Sequence, residues 1–354
     1  MPMTFPTRRA VLAAGASFVA APAFGAADQG FETVTAYLDA GYRSLGLPGA
    51  GLRVWRNGTV LYDRYFGIYS AETTVPIASC SKWLSAAVLM TLVDEGRISL
   101  DAPISTYLPQ FTGDKAGLKI RQMFSHSSGL MDPTPEGRWD YAITMADYAD
   151  RMAGDLGVIR NAPGAEVRYG SGSMQVVGAA MEKVTGKAFN DLFLERIARP
   201  CGMTLTTFAR QAANRNPLLA GGAVSSQPDY SRFLEMIARK GMANGKRVIS
   251  EASVHEMQRD QTGTAPLKGA SADRMGRLSH YGLGEWVDSQ DVAGRTRQVS
   301  SPGAFGARPW INLDRDLYGV FLMRRASQTA PASNETFDPW KLIDLVHEAA
   351  DKTA

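Results

Sequence analysis

Histidine and cysteine are scarce in this chain, four and two among 354 residues. The histidines His126, His255, His280 and His347 form no His-Glu-x-x-His pair and join no cysteine cluster, so the sequence offers no zinc centre. No glycine fingerprint for a nucleotide phosphate appears, so no cofactor is expected. The Gly-x-Ser-x-Gly elbow is also missing, which disfavours an α/β-hydrolase. Long runs of one charge are absent. The formal net charge is +3, and two of its positive charges, Arg8 and Arg9, lie in a segment expected to be removed. Without a basic run or aromatic–basic alternation, nucleic acid is not an expected partner. Repeats and low-complexity tracts are missing as well. The two cysteines, Cys80 and Cys201, read as unpaired buried thiols rather than a disulfide.

What the chain does have is enough apolar residue, 45%, to bury a large core in one large or two interleaved domains. Its 35 glycines suit a loop-rich α/β protein better than a helical bundle. Residues 1–27 read as an export signal. Thr7-Arg8-Arg9 precedes an apolar stretch from Ala10 to Ala23, and Ala23-Phe24-Gly25 or Gly25-Ala26-Ala27 would serve for cleavage. The paired arginines point to the twin-arginine route, with an ordinary secretory signal as the alternative. The stretch is too short to span a bilayer, so no stable membrane anchor is expected, and the mature protein would be periplasmic or secreted.

Apolar spacing predicts a helix over Phe31–Leu45. Two strand-like runs, Gly51–Arg56 and Thr59–Tyr65, flank Asn57-Gly58, a pair that tolerates the positive φ of a two-residue hairpin. From Asp101 to about residue 220 the pattern is mainly helical, over Ile120–Phe124, Met145–Ala153, Ser173–Thr185 and Phe189–Ala198. Strand patterns return at Tyr281–Val287, Thr296–Ser300, Trp310–Asn312 and Leu317–Arg324. Asp338-Pro339 then supplies the N-cap and first residue of a last helix. A sheet that starts near the N-terminus, is interrupted by helices and is completed near the C-terminus implies an α/β domain in two parts, 31–100 and 221–354. A helical insertion spans 101–220, and a cleft lies between the two units.

One motif carries chemistry. Ser79-Cys80-Ser81-Lys82 is the single Ser-x-x-Lys of the chain, and an apolar helical run from Trp83 to Glu95 follows it. Residues three apart share a helix face, and a helix start offers unpaired N–H groups with partial positive charge. A lysine there can take the serine proton, and the serine's own N–H can help hold the oxyanion that forms. The bare spacing arises by chance about once in a chain of this size. The alternative is a solvated lysine beside a capping serine.

Several further segments join this motif. They are Pro76–Lys82, Leu92–Asp101, Phe124-Ser125-His126-Ser127-Ser128-Gly129-Leu130, Pro163-Gly164 with Arg168-Tyr169-Gly170-Ser171, Gly221–Ser226 and Tyr281-Gly282-Leu283-Gly284. Together they resemble the serine β-lactamase and penicillin-binding-protein superfamily, on the side of class C enzymes and family VIII carboxylesterases. The likeness spans nearly all of residues 31 to 350. It implies an α/β fold: an antiparallel sheet flanked by helices, with an inserted all-helical domain. It also implies Ser79 as the acylated nucleophile, Lys82 as the group that accepts or relays its proton, and Tyr169 in the position of the family's tyrosine base.

Two departures bear on substrate. The family's Tyr-x-Asn becomes Tyr169-Gly170-Ser171, so Ser171 would do an amide's work with a shorter hydroxyl. The family's Lys-Thr-Gly or His-Thr-Gly aligns with Ser301-Pro302-Gly303, so the resemblance places Ser301 and Gly303 at the substrate, but the cation that binds a substrate carboxylate is lost. The Ala304 N–H, after Gly303, would still be the second oxyanion donor beside Ser79. Arg308 could restore the charge, or be an exposed arginine on a hairpin. His126 is read as a turn residue, and Trp286, Trp310 and Phe305 either as the lining of an acyl pocket or as ordinary core or cleft-wall aromatics. The resulting expectation is an exported serine hydrolase acting on a small-molecule ester or amide, with esters favoured. The alternatives are a β-lactamase or DD-peptidase, and a non-catalytic peptidoglycan-binding or sensor module. The sequence does not give the oligomeric state.

Overall fold

The structure is a computed structural model, and it describes residues 29–132, 139–209, 214–269, 280–326 and 333–353. The expected export signal, 1–27, lies outside these residues.

Helix α1 (Glu32–Ser44) buries Val34, Leu38, Gly41 and Tyr42, the one-sided stripe expected of an amphipathic helix. The chain then forms β1 (Gly49–Arg56) and β2 (Thr59–Gly67). Asn57 and Gly58 turn between them at φ 50° and 76°, as the Asn-Gly signal predicts. The remaining strands of this sheet come from the far end of the chain. They are β3 (His280–Tyr281), β4 (Trp286–Gln290), β5 (Thr296–Ser300), β6 (Arg308–Asn312) and β7 (Leu317–Met323). The seven strands run β2-β1-β7-β6-β5-β4-β3, antiparallel throughout. The β1–β7 pairing, from Ala50↔Met323 to Arg56↔Leu317, joins the first and last parts of the chain.

Between these parts lies α2 (Ser81–Asp94), in which every residue from Ser81 to Leu92 is buried. A helix apolar on all sides belongs inside the protein, and this one runs through the main core. Around it pack α3 (Ile120–Phe124), α4 (Met145–Ala153), α5 (Gly172–Thr185) and α6 (Phe189–Phe193), the last continuing through a π turn at Leu194–Ala198. A reciprocal cap starts α4: Asp147 N–H donates to the Thr144 hydroxyl, and Thr144 N–H donates to the Asp147 carboxylate. Helices α7 (Gln227–Ala238) and α8 (Glu251–Gln258) complete this side. The opposite face of the sheet is covered by α1 and α9 (Pro339–Lys352) over Leu52, Val54, Trp310 and Phe321. Asp338 caps α9 by accepting from Trp340 N–H at 2.9 Å.

One strand expectation needs correcting. Tyr281–Val287 is not a single strand but a hairpin, with Trp286 paired to Tyr281 and Val287 to His280. Gly284 (φ 83°) makes the reversal, and a β-carbon there would lie 2.5 Å from the Lys82 carbonyl oxygen. The chain turns back where it meets the start of α2.

Candidate active site

Ser79 lies in a single 3-10 turn, Ala78–Cys80, that leads directly into α2. The turn is entered through Ala78 at φ 47°, a left-handed conformation that costs a β-carbon residue about 1–2 kcal/mol. Long-range bonds hold it in place. Ile77 N–H donates to Ala223 O at 3.1 Å, Ala223 N–H to the Ser81 hydroxyl at 3.1 Å, and the Tyr230 hydroxyl to Cys80 O at 2.8 Å. Gly221–Ser226, one of the family-like segments, therefore runs alongside the nucleophile turn.

Lys82 is 2% exposed. Its Nζ donates to Ser79 Oγ at 3.2 Å and to the Ala220 carbonyl at 2.8 Å, and it lies 4.3 Å from the centre of the Tyr169 ring. Ser79 is partly exposed, so its hydroxyl is the accessible end of a buried pair. The structure thus brings Ser79, Lys82 and Tyr169 together. Ser171 caps the start of α5 two residues after Tyr169, and its hydroxyl makes no capping bond.

Tyr169 sits in an aromatic box. Its ring is 4.6 Å from His126, 5.2 Å from Trp286 and 5.8 Å from Tyr281, measured between centroids. His126 adopts φ 62°, accepts Arg168 N–H on its carbonyl at 2.8 Å and accepts Gly170 N–H on Nδ1 at 3.4 Å. Burial, together with the Lys82 charge, pushes its pKa well below the ordinary value, so the ring is neutral. His126 is the turn residue anticipated, and it also braces both sides of Tyr169. Trp286 belongs to this box, whereas Trp310 is core on the far face of the sheet.

The sheet-side wall is the loop Ser301–Ala307. Gly303 comes so close to the nucleophile turn that a β-carbon would stand 2.3 Å from Ile77 O and 3.0 Å from Cys80 Sγ. Within the loop Gly303 N–H donates to Ala307 O at 2.7 Å, and Gly306 N–H donates to Gly303 O at 2.8 Å. Neither the Ser79 N–H nor the Ala304 N–H bonds to another group among the described residues. An oxyanion hole requires unpaired donors beside the nucleophile, and Gly303 holds the loop that carries the Ala304 N–H against the nucleophile turn.

Two assignments on this wall are corrected. Ser301 is 2% exposed, and its hydroxyl is directed at the Ser79 and Gly284 carbonyls, 3.2 Å from each. It staples the loop to the nucleophile turn and offers no hydroxyl to a substrate. Arg308 stacks 4.2 Å above the Trp340 ring at the start of α9 and lies in the field of Asp288 and Asp338. Among the described residues, none of its interactions is with Ser79, Lys82 or Tyr169. The cause is strand alternation: Arg308 stands two residues before Trp310 and shares its face of the sheet. Burial lowers the Arg308 pKa to about 10 despite those carboxylates. Beneath the wall, burial raises the Asp288 carboxyl to about 7 against hydrogen bonds from Ser300 and Gln298.

The sequence reading missed three contributors: the Ala220 carbonyl on Lys82, the strained Ala78, and Arg325, whose guanidinium donates to Ala304 O. Only the glycine-rich run at Gly221-Gly222 hinted at the first. Cys80 and Cys201 are free and buried.

Comparison with known proteins agrees with this geometry. The chain belongs to the β-lactamase family, whose sequence profile matches residues 32–338, and so to a family of serine hydrolases. A solved candidate β-lactamase from Bacteroides dorei DSM 17855 is 32% identical, with a TM-score of 0.81 over 90% of this chain and 98% of that one. A D-aminopeptidase of Brucella suis biovar 1 is 29% identical over 188 residues, covering 48% of this chain and 35% of that protein. A family VIII carboxylesterase shares the fold, with a TM-score of 0.70 over 91% of this chain and 98% of its own at 18% identity.

Proposed function

We propose that this chain is an exported carboxylesterase that forms an acyl-enzyme on Ser79 and cleaves esters with small or medium, uncharged acyl groups. The observation that carries the reading is the contrast at the cleft. A buried Lys82 is hydrogen-bonded to the Ser79 hydroxyl, and on the wall opposite, among the described residues, the family's cation position holds the neutral Ser301 while Arg308 stacks on Trp340.

The steps follow from the geometry. For Lys82 to act as the base, the Ser79–Lys82 contact runs in the other direction and the hydroxyl donates its proton to Nζ as Oγ attacks the ester carbonyl carbon. Tyr169, beside Lys82, relays that proton toward the leaving oxygen. The Ser79 and Ala304 N–H groups hold the oxyanion. Collapse breaks the carbon–oxygen bond and releases the alcohol with the proton. Water then gives a proton to the same base and attacks the acyl carbon; the bond from Ser79 Oγ to the acyl group breaks, the carboxylic acid leaves, and Oγ takes the proton back.

The partial similarity to a D-aminopeptidase favours a second reading, hydrolysis of a small amide or peptide at the same serine. Parallel steady-state rates on p-nitrophenyl butyrate, a D-alanyl anilide and a chromogenic cephalosporin, wild type beside Ser79→Ala, separate the two. Ester turnover lost in Ser79→Ala, with little cleavage of the others, supports the esterase. Anilide turnover above ester turnover replaces it with the amidase. Efficient cephalosporin cleavage would show that an anion is bound after all and overturn both.

A further inference from the structure

We propose that Arg325 is a positioning residue for the oxyanion hole, fixing the turn that carries the Ala304 N–H; this rests on the acyl-enzyme reading above. Gly306 N–H donating to Gly303 O closes a four-residue turn with Ala304 and Phe305 at its centre. The central peptide of such a turn is its softest part. Type I and type II turns differ chiefly by rotation of that one unit, with the ends almost unmoved. Rotation here would move the Ala304 carbonyl and disturb the adjoining peptide that carries the Ala304 N–H.

Arg325 opposes that rotation with two donors on consecutive carbonyls. Its guanidinium Nη2 donates to Ala304 O, and its backbone N–H donates to Phe305 O at 2.9 Å. The two outward carbonyls of the turn are thereby occupied, and the Ala304 N–H remains unbonded. The residue lies two positions beyond the end of β7, so a rigid strand supports the clamp. Its side chain is 8% exposed, and burying a cation is costly unless something compensates. A neutral donor would suffice merely to close a loop. A guanidinium one peptide away from the developing oxyanion adds a field of the favourable sign.

The test is kcat per active site in Arg325→Met and Arg325→Lys, with active sites counted by fluorophosphonate labelling of Ser79. For Arg325→Met, kcat on p-nitrophenyl butyrate falls about 10- to 100-fold, less than complete loss of a donor would cost, while KM changes less than about twofold. Affinity for an alkyl boronic acid that mimics the tetrahedral intermediate falls in step with kcat. Arg325→Lys, which keeps the charge and one donor, lies between the two and serves as the readout if the methionine variant does not fold. A kcat per labelled site within about twofold of wild type in the variant that folds, with only Tm lowered, overturns the proposal and leaves the esterase reading intact. A wild type with neither label on Ser79 nor ester turnover sinks that reading, and this proposal with it.

Discussion

The two walls of the cleft are built from different materials. The helical wall carries side-chain chemistry: Ser79, Lys82 and Tyr169, with Lys82 buried between a hydroxyl, a carbonyl and an aromatic ring. The sheet wall carries backbone. Its glycine packs against the nucleophile turn, its serine is turned inward as a staple, Arg308 stacks on Trp340, and Arg325 is bonded to the Ala304 carbonyl. On the proposed mechanism, proton transfer and substrate selection are separable: the nucleophile and its base lie on one side, and the other supplies a backbone donor. A fold whose relatives include amide and ester hydrolases can shift substrate class on the sheet wall without disturbing the helical one.

The sharpest way to break that comparison is to remove the base. Lys82→Met keeps the stem and loses the amine, and kcat on p-nitrophenyl butyrate should fall about 10²–10⁴-fold with KM little changed. A loss below tenfold, measured per folded molecule, would mean that Tyr169 or water carries the proton alone.

How much of this was legible in the sequence differs between the walls for the same reason. Ser79 and Lys82 are three residues apart, so their meeting is local helix geometry and reads directly from spacing. Asn57-Gly58 is legible likewise, because the required backbone conformation selects the residue types. Ser301 was assigned to substrate because its alignment suggested it. What turns its hydroxyl inward is a pair of carbonyls 222 and 17 residues away, at Ser79 and Gly284. Such partners leave no local signature. Arg308 shares the face of Trp310, two residues on, but the sequence left open whether that tryptophan lines the cleft or the core, and only the structure places it in the core. Ala78 was not legible, because an alanine does not announce a positive φ.

Ser301→Ala sharpens the comparison at the next level. As a staple, Ser301 should contribute about 1 kcal/mol of stability through its hydroxyl, so Tm falls by a few degrees and KM for the ester stays within twofold. A raised KM with unchanged Tm would return Ser301 to the substrate.

The smallest effect concerns pH and stability beneath the sheet wall. The Asp288 carboxyl is raised to about 7 from an ordinary 3.8 by burial. Between those values the native state holds a proton that the unfolded chain releases, so this group's contribution falls as pH rises through that window. Asp288→Asn should accordingly gain Tm relative to wild type at pH 8 more than at pH 5, by thermal denaturation in matched salt. An equal difference at both pH values would mean that Asp288 is ionised throughout, held so by Ser300, Gln298 and the nearby Arg308.

The central claim is a covalent bond to one serine. Rapid acid quench of the protein turning over p-nitrophenyl butyrate, followed by intact-mass and peptide mass spectrometry, tests it most directly. The account predicts one butyryl group per chain, carried on the peptide that contains Ser79 and absent from Ser79→Ala. Ester turnover at the wild-type rate in Ser79→Ala, or a butyryl group carried by any other residue, would contradict it.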